Sequence, residues 1–181
     1  MQLPIITVPN PILRKKSTPI DKITPKIKQF LQDLEETLIH AQDPEGVAIA
    51  APQVGKNIRL FITRLHNRTH FYLNPEILDQ SDNLTLGSKA NDPDLEGCLS
   101  IPHLYGPVLR PDKIKIQAID ENGGQFTKTL KSFEARVFLH EYDHLEGILF
   151  TDHTLSQNQP LYLEQNGQFT PIPNPKEIIK W

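Results

Sequence analysis

The segment His140-Glu141-Tyr142-Asp143-His144 constrains this chain more than any other. On a helix, residues four apart stack one turn above the other. Both imidazoles then point the same way and can offer a nitrogen to one metal ion. The glutamate between them is placed to move protons for a water on that metal. The neighbouring residues predict such a helix. Ser132 is the expected N-cap, and Glu134 falls in the first turn, where a carboxylate suits the helix dipole. Phe133, Val137, His140 and His144 share one stripe, so the histidines continue an apolar face. Gly147 stands where a glycine ends a helix. The bland alternative is a helix with two solvated or hydrogen-bonded histidines. The apolar stripe argues against it, because a buried imidazole needs a partner.

Two histidines do not complete a catalytic zinc-type site, which takes three protein ligands and keeps one position open. One extension of the motif has a third histidine six residues after the second, but that position is Phe150. Downstream, His153 and Glu164 stay open as candidates, although His153 reads as part of a surface turn. Upstream stands Cys98, the only cysteine, in Leu95-Glu96-Gly97-Cys98-Leu99-Ser100-Ile101-Pro102. Read blandly, it is a small buried hydrophobe. Its thiolate would complete a Cys-His-His set.

Three segments resemble the signature motifs of the peptide deformylases. They are Gly46-Val47-Ala48-Ile49-Ala50-Ala51-Pro52-Gln53-Val54-Gly55, Glu96-Gly97-Cys98-Leu99-Ser100-Ile101-Pro102 and His140-Glu141-Tyr142-Asp143-His144-Leu145-Glu146-Gly147, in the family's order. Pro9-Asn10-Pro11-Ile12-Leu13-Arg14 and Asn74-Pro75 also resemble family segments. The likeness extends to His153 and covers most of the chain.

The resemblance implies a hydrolase of protein biosynthesis. It would remove the N-terminal formyl group from the formyl-methionine of newly made polypeptides and release formate. It implies one divalent metal on Cys98, His140 and His144. Iron(II) is the ion associated with the family, while zinc, nickel and cobalt also suit such ligands. Glu141 would take a proton from water and pass it to the leaving amine. The side-chain amide of Gln53 and the backbone N–H of Leu99 would face the developing oxyanion. Gly46, Val47, Ala48 and Gly97 would contact the peptide, and Val137 would line the methionine pocket. The implied partners are N-formylmethionyl nascent peptides and, transiently, the ribosome.

Three residues depart from the family pattern. Ala48 replaces a glycine, so its methyl is expected to crowd the peptide or to exclude a φ > 0 backbone. Leu139 stands where glutamine is frequent, and Tyr105 where many relatives have arginine. Two rivals remain at this point. One is a zincin-type metallopeptidase that shares His140, Glu141 and His144 but uses a downstream ligand. The other is a catalytically impaired deformylase-like protein that only binds metal.

The 19 basic and 22 acidic residues nearly balance, so charge gives no nucleic-acid footprint. One cysteine cannot form an internal disulfide, which fits a reducing compartment; the resemblance implies a cytoplasmic setting of bacterial type. No basic-then-apolar opening resembles a signal peptide, and no apolar run would span a bilayer. An organellar protein whose targeting segment had been removed would look the same. A monomer is the simplest expectation. The 16 prolines point to short strands with abrupt turns.

The expected fold is a single α+β domain over residues 1–181, with antiparallel strands around a central metal-binding helix. The first 20 residues are expected to wrap the surface. A helix starts at Thr24-Pro25 and runs to Gln42, ended by Asp43-Pro44-Glu45-Gly46. Ile58 to Leu65 and Phe71 to Leu78 read as strands joined by His66-Asn67-Arg68-Thr69. Residues 79–94 read as a mobile loop. Lys113 to Ile119 alternates like a half-buried strand, and Gln125 to Leu130 follows it. In the tail, Pro160, Pro171, Pro173 and Pro175 exclude a long helix. Asn166-Gly167 predicts a strand or hairpin there, over residues 154–181.

Overall fold

Leu60-Phe61-Ile62 is too continuously apolar to face water on either side, so its strand must be covered on both faces. The computed structural model describes residues 1–41, 46–87, 93–179 and 181. Helix α1 (Pro25–His40) comes first. Strands β1 (Ala48–Ala50), β2 (Leu60–Leu65), β3 (Arg68–Gln80), β4 (Leu84–Thr85) and β5 (Leu95–Cys98) follow. Then come β6 (Ile101–Pro107), β7 (Arg110–Pro111), β8 (Lys113–Ile119), β9 (Gln125–Lys131) and the helices α2 (Ser132–Glu146) and α3 (Phe150–Ser156). Strands β10 (Tyr162–Gln165) and β11 (Gln168–Pro171) and a short helix α4 (Pro175–Ile178) complete the chain.

The largest sheet has the order β1-β2-β3-β8-β9, antiparallel at each step. Successive side chains of a strand point to opposite faces. Phe61 and Tyr72 therefore join Ala135, Phe138 and Leu139 of α2 on one face. Leu60, Ile62 and Leu73 join Leu31, Leu34 and Leu38 of α1 on the other. The aromatic rings hold the first face together, with Phe138 edge-on to both Phe61 and Tyr72. Leu139 is thus a core residue, which accounts for an apolar side chain there.

A second sheet has the order β11-β10-β6-β5, and β4 pairs with β7. A third apolar cluster, including Leu13, Cys98, Ile101, Leu149 and Phe150, lies beside this sheet. β5 and β6 bring the Cys98 segment alongside α2, although 40 residues of chain lie between Cys98 and Leu139 in sequence.

Several expectations hold. Thr24 caps α1, accepting from Ile27 N at 3.3 Å, with Pro25 in the first turn. The helix closes at His40 with Ala41 as its C-cap; Gln42 and the expected Asp43-Pro44-Glu45 stop lie outside the described residues. Asn166 (φ 52°) and Gly167 (φ 78°) form the tail hairpin turn, and β10 pairs with β6.

Other expectations need correction. Ser132 is not the N-cap: β9 runs straight into α2, Lys131 takes the cap position, and Ser132 adopts φ 48° with its Oγ directed to Asp112. The link after β2 is only His66-Asn67, both at positive φ, as a two-residue hairpin turn requires. The first 20 residues do not merely wrap the surface, since Leu13 and Ser17 are buried. Residues 79–87 are tied down, because β3 extends to Gln80 and Leu84–Thr85 pairs with Arg110–Pro111. Residues 88–92 of the expected loop lie outside the described residues. His153 belongs to α3 and not to a turn.

Candidate metal centre and its cavity

α2 delivers His140, Glu141 and His144 from one buried face and ends at Gly147, which has φ 72°. A side chain there would be strained by that backbone angle, and its Cβ would come within 2.5 Å of the Arg14 carbonyl oxygen. β5 delivers Cys98 from the opposite side. The ligand atoms of Cys98, His140 and His144 all lie within 4.8 Å of one another. Cys98 Sγ is 3.2 Å from His144 Nε2. Two atoms bound to one ion at ~2.0–2.3 Å stand about 3–4 Å apart, so this spacing fits a shared metal. His153 and Glu164 are not in the cluster: His153 Nε2 meets Asp143 at 2.9 Å, and Glu164, on the tail hairpin, faces His103 of β6.

The chemistry of the donors fits a cation. Burial alone would keep the Cys98 thiol protonated. Charge on His144 and hydrogen bonds from both imidazoles outweigh it and bring the thiol down to about 5. His140 Nδ1–H donates to Glu96 Oε2 at 2.9 Å, which reserves Nε2 for a metal that displaces the proton on that nitrogen. Glu96 can only accept, because its carboxyl is held ionised. Burial opposes that state, but the Arg110 guanidinium holds it well below the usual carboxylate range, with bonds of 2.6 and 2.8 Å. Arg136 adds a third cationic contact to Glu96 at 3.0 Å and also donates to the carbonyls of Val108 and Thr85. Arg110 continues to Asp143, and Asp143 to His153. Two buried atoms, Glu141 Oε2 and His144 Nδ1, have no partner among the described residues. Burial pushes the Glu141 carboxyl up to about 7, a shift that a neighbouring cation would oppose.

A cavity of about 200 Å³ opens onto this cluster. Cys98, His140 and Glu141 line it, while His144 is 1% exposed and lies off its wall. The expected peptide contacts Gly46, Val47, Ala48, Gly97 and Val137 all line it, as do Gln53 and Leu99. Ala48 sits in the extended edge strand β1, so its position needs no positive φ. Ala50 N–H donates to Gln53 Oε1 at 2.8 Å. The amide nitrogen is thereby turned toward Cys98 Sγ (3.4 Å) and Ser100 Oγ (3.2 Å).

Glu96, Arg110, Arg136, Asp143 and Ser100 were not singled out by sequence reasoning. For Glu96 a signal exists: residues two apart on a strand share a face, so a carboxylate at 96 accompanies Cys98 inward. No spacing rule finds the arginines.

The polypeptide deformylase family profile matches residues 2–160. Peptide deformylase 1 of Clostridium perfringens is 43% identical over 146 residues, covering 80% of this chain and 92% of its own. The chain belongs to the polypeptide deformylase family. The crystal structure of the peptide deformylase from Thermotoga maritima has a TM-score of 0.77 at 33% identity, covering 84% of this chain and 97% of that one. A peptide deformylase from Synechococcus elongatus, solved with actinonin, has a TM-score of 0.76 at 29% identity, covering 91% and 80%. Deformylases are metal-dependent enzymes that remove formyl groups from N-formylmethionyl peptides, and the zincin reading is not favoured.

Proposed function

We propose that this chain hydrolyses the formyl group from N-formylmethionyl nascent peptides at a divalent metal held by Cys98, His140 and His144. The observation that carries this reading is the convergence of those ligand atoms within 4.8 Å, beside Glu141, on one cavity of about 200 Å³. The metal is iron(II). Zinc, nickel or cobalt would occupy the same ligands. All 181 residues act as one domain, since the tail hairpin completes the sheet of β5 and β6. The protein works as a cytoplasmic monomer that meets nascent chains at the ribosome. No helix among the described residues is long and apolar enough to cross a membrane.

The bound cation supplies Lewis acidity, making hydroxide available near neutral pH by lowering the pKa of water from 15.7 to about 7. The residues do the rest. The edge of β1 and the backbone at Gly97 bracket the peptide, with Val137 against the methionine side chain. Glu141 accepts the water's proton and returns it to the leaving amine. Gln53 Nε2, turned inward by Ala50, and the N–H of Leu99 donate to the formyl oxygen as it gains charge. Glu96 holds the His140 ring through Nδ1–H, so Nε2 would be the nitrogen that ligates the ion.

The direct test is formate release from formyl-Met-Ala-Ser by protein loaded with ferrous iron under argon. Release that depends on metal supports the reading, and fully loaded protein that frees no formate rejects it. Gln53→Ala is expected to lower kcat about 10²–10³-fold with KM changed less, as for loss of one oxyanion donor. Glu96→Gln is expected to weaken metal affinity about 10–100-fold, measured by chelator competition on folded protein. Iron beside a thiolate also predicts faster loss of activity in air than under argon. Equal lifetimes would contradict iron.

A further inference from the structure

The chain beyond Pro160 lies outside the stretch that the family profile matches, yet it reaches the cavity wall. β10 pairs with β6 through Tyr162–Tyr105 and Leu163–Leu104, and β11 folds against β10. Phe169 of β11 meets the Tyr105 ring edge to face, with centroids 5.1 Å apart and planes at 88°. Tyr105 in turn pairs with Gly97 across β5 and β6. Its ring fills the space beside Gly97 where a side chain would stand: a Cβ there would come within 2.4 Å of a ring carbon. Gly97 and Tyr105 both line the cavity that holds Cys98 and Glu141. Phe169, Tyr105 and Gly97 therefore form a stack from the tail hairpin to the cavity. Core filling does not account for it, because Phe169 is 48% exposed and Tyr105 is only half-buried.

We propose that the tail hairpin is a working part of the peptide groove: Phe169 fixes Tyr105 as the wall that the substrate meets beyond its methionine. The inference rests on the function proposed above. An extended peptide advances about 3.3 Å per residue. Residues after methionine, not the methionine itself, then come alongside a ring that is paired one strand position away from Cys98. Tyr105 touches the peptide beyond its methionine. Phe169 is a positioning residue that acts through Tyr105.

The test compares formylmethionine with formyl-Met-Ala-Ser in steady-state formate release. It uses wild type, Phe169→Ala, Tyr105→Ala, the double variant and Phe169→Tyr, with melting temperature and metal content recorded for each. Each single alanine variant should raise KM for the tripeptide about 3–10-fold, the loss expected for one aromatic contact. The rise for formylmethionine and the change in kcat should both be smaller. The double variant should be no worse than Tyr105→Ala, because Phe169 acts only through that ring. Phe169→Tyr, which keeps the ring edge, should restore the wild-type KM. Equal rises for both substrates, additive losses in the double variant, or a Phe169→Ala variant matching wild type would overturn the proposal. If wild type frees no formate, the functional reading alone falls. Calorimetric titration of wild type and Phe169→Ala with the tripeptide then decides: weaker binding by the variant upholds the wall, and equal affinity overturns it.

Discussion

Glu141→Gln is expected to cut formate release about 10²–10⁴-fold, the range for loss of a general acid–base, while metal content stays at the wild-type level. Glu141 sits between the two histidines on α2, is 3% exposed and lines the cavity. Its buried Oε2 has no partner among the described residues, so it is not held by a structural bond as Glu96 is. Glutamine keeps the shape of the side chain but cannot take a proton from water. Because Glu141 stands outside the Cys98-His140-His144 cluster, the change removes the base and leaves the ligands. Saturating kinetics with metal analysis on the same sample checks this. A fully active variant would move the base to another residue.

Cys98→Ser is expected to abolish both activity and tight metal binding. The thiol, brought down to about 5, is a thiolate at neutral pH, whereas a serine hydroxyl stays protonated and makes a poor ligand. Serine is close in size, so the apolar cluster around residue 98 keeps its packing. The loss in affinity should exceed the about 10–100-fold typical of disturbing an outer partner of a ligand. Metal content after dialysis and chelator competition measure it. A site built on His140, His144 and a downstream ligand would keep its metal in this variant. The experiment therefore separates the two ligand sets by a readout that does not depend on activity.

The parts of this site that were legible in the sequence are those carried by short-range geometry. Histidines four apart, an apolar stripe and a terminal glycine are enough to define α2 and the direction of its metal-binding face. The tail hairpin followed from Asn166-Gly167, since that pair readily adopts the positive φ angles such a turn needs. The third ligand was not legible from spacing, which left Cys98, His153 and Glu164 open; only the resemblance singled out Cys98. What distinguishes them is tertiary: β5 brings Cys98 to the histidines, while Asp143 engages His153.

Long-range charge was equally hidden. Glu96 draws its arginines from 14 and 40 residues away, and no local pattern links them. The N-cap was misread because a strand passes directly into α2, so tertiary continuity overrode the capping preference of Ser132. Of the two concerns over Ala48, only the need for φ > 0 falls away, because the edge strand is ordinary extended backbone.

The most direct test is X-ray absorption at the metal edge of the iron-loaded protein under argon. One sulfur and two imidazole nitrogens around a single ion per chain, with light oxygen scatterers completing the shell, is the predicted result. A first shell without sulfur would contradict the assignment of Cys98 and the hydrolytic site built on it.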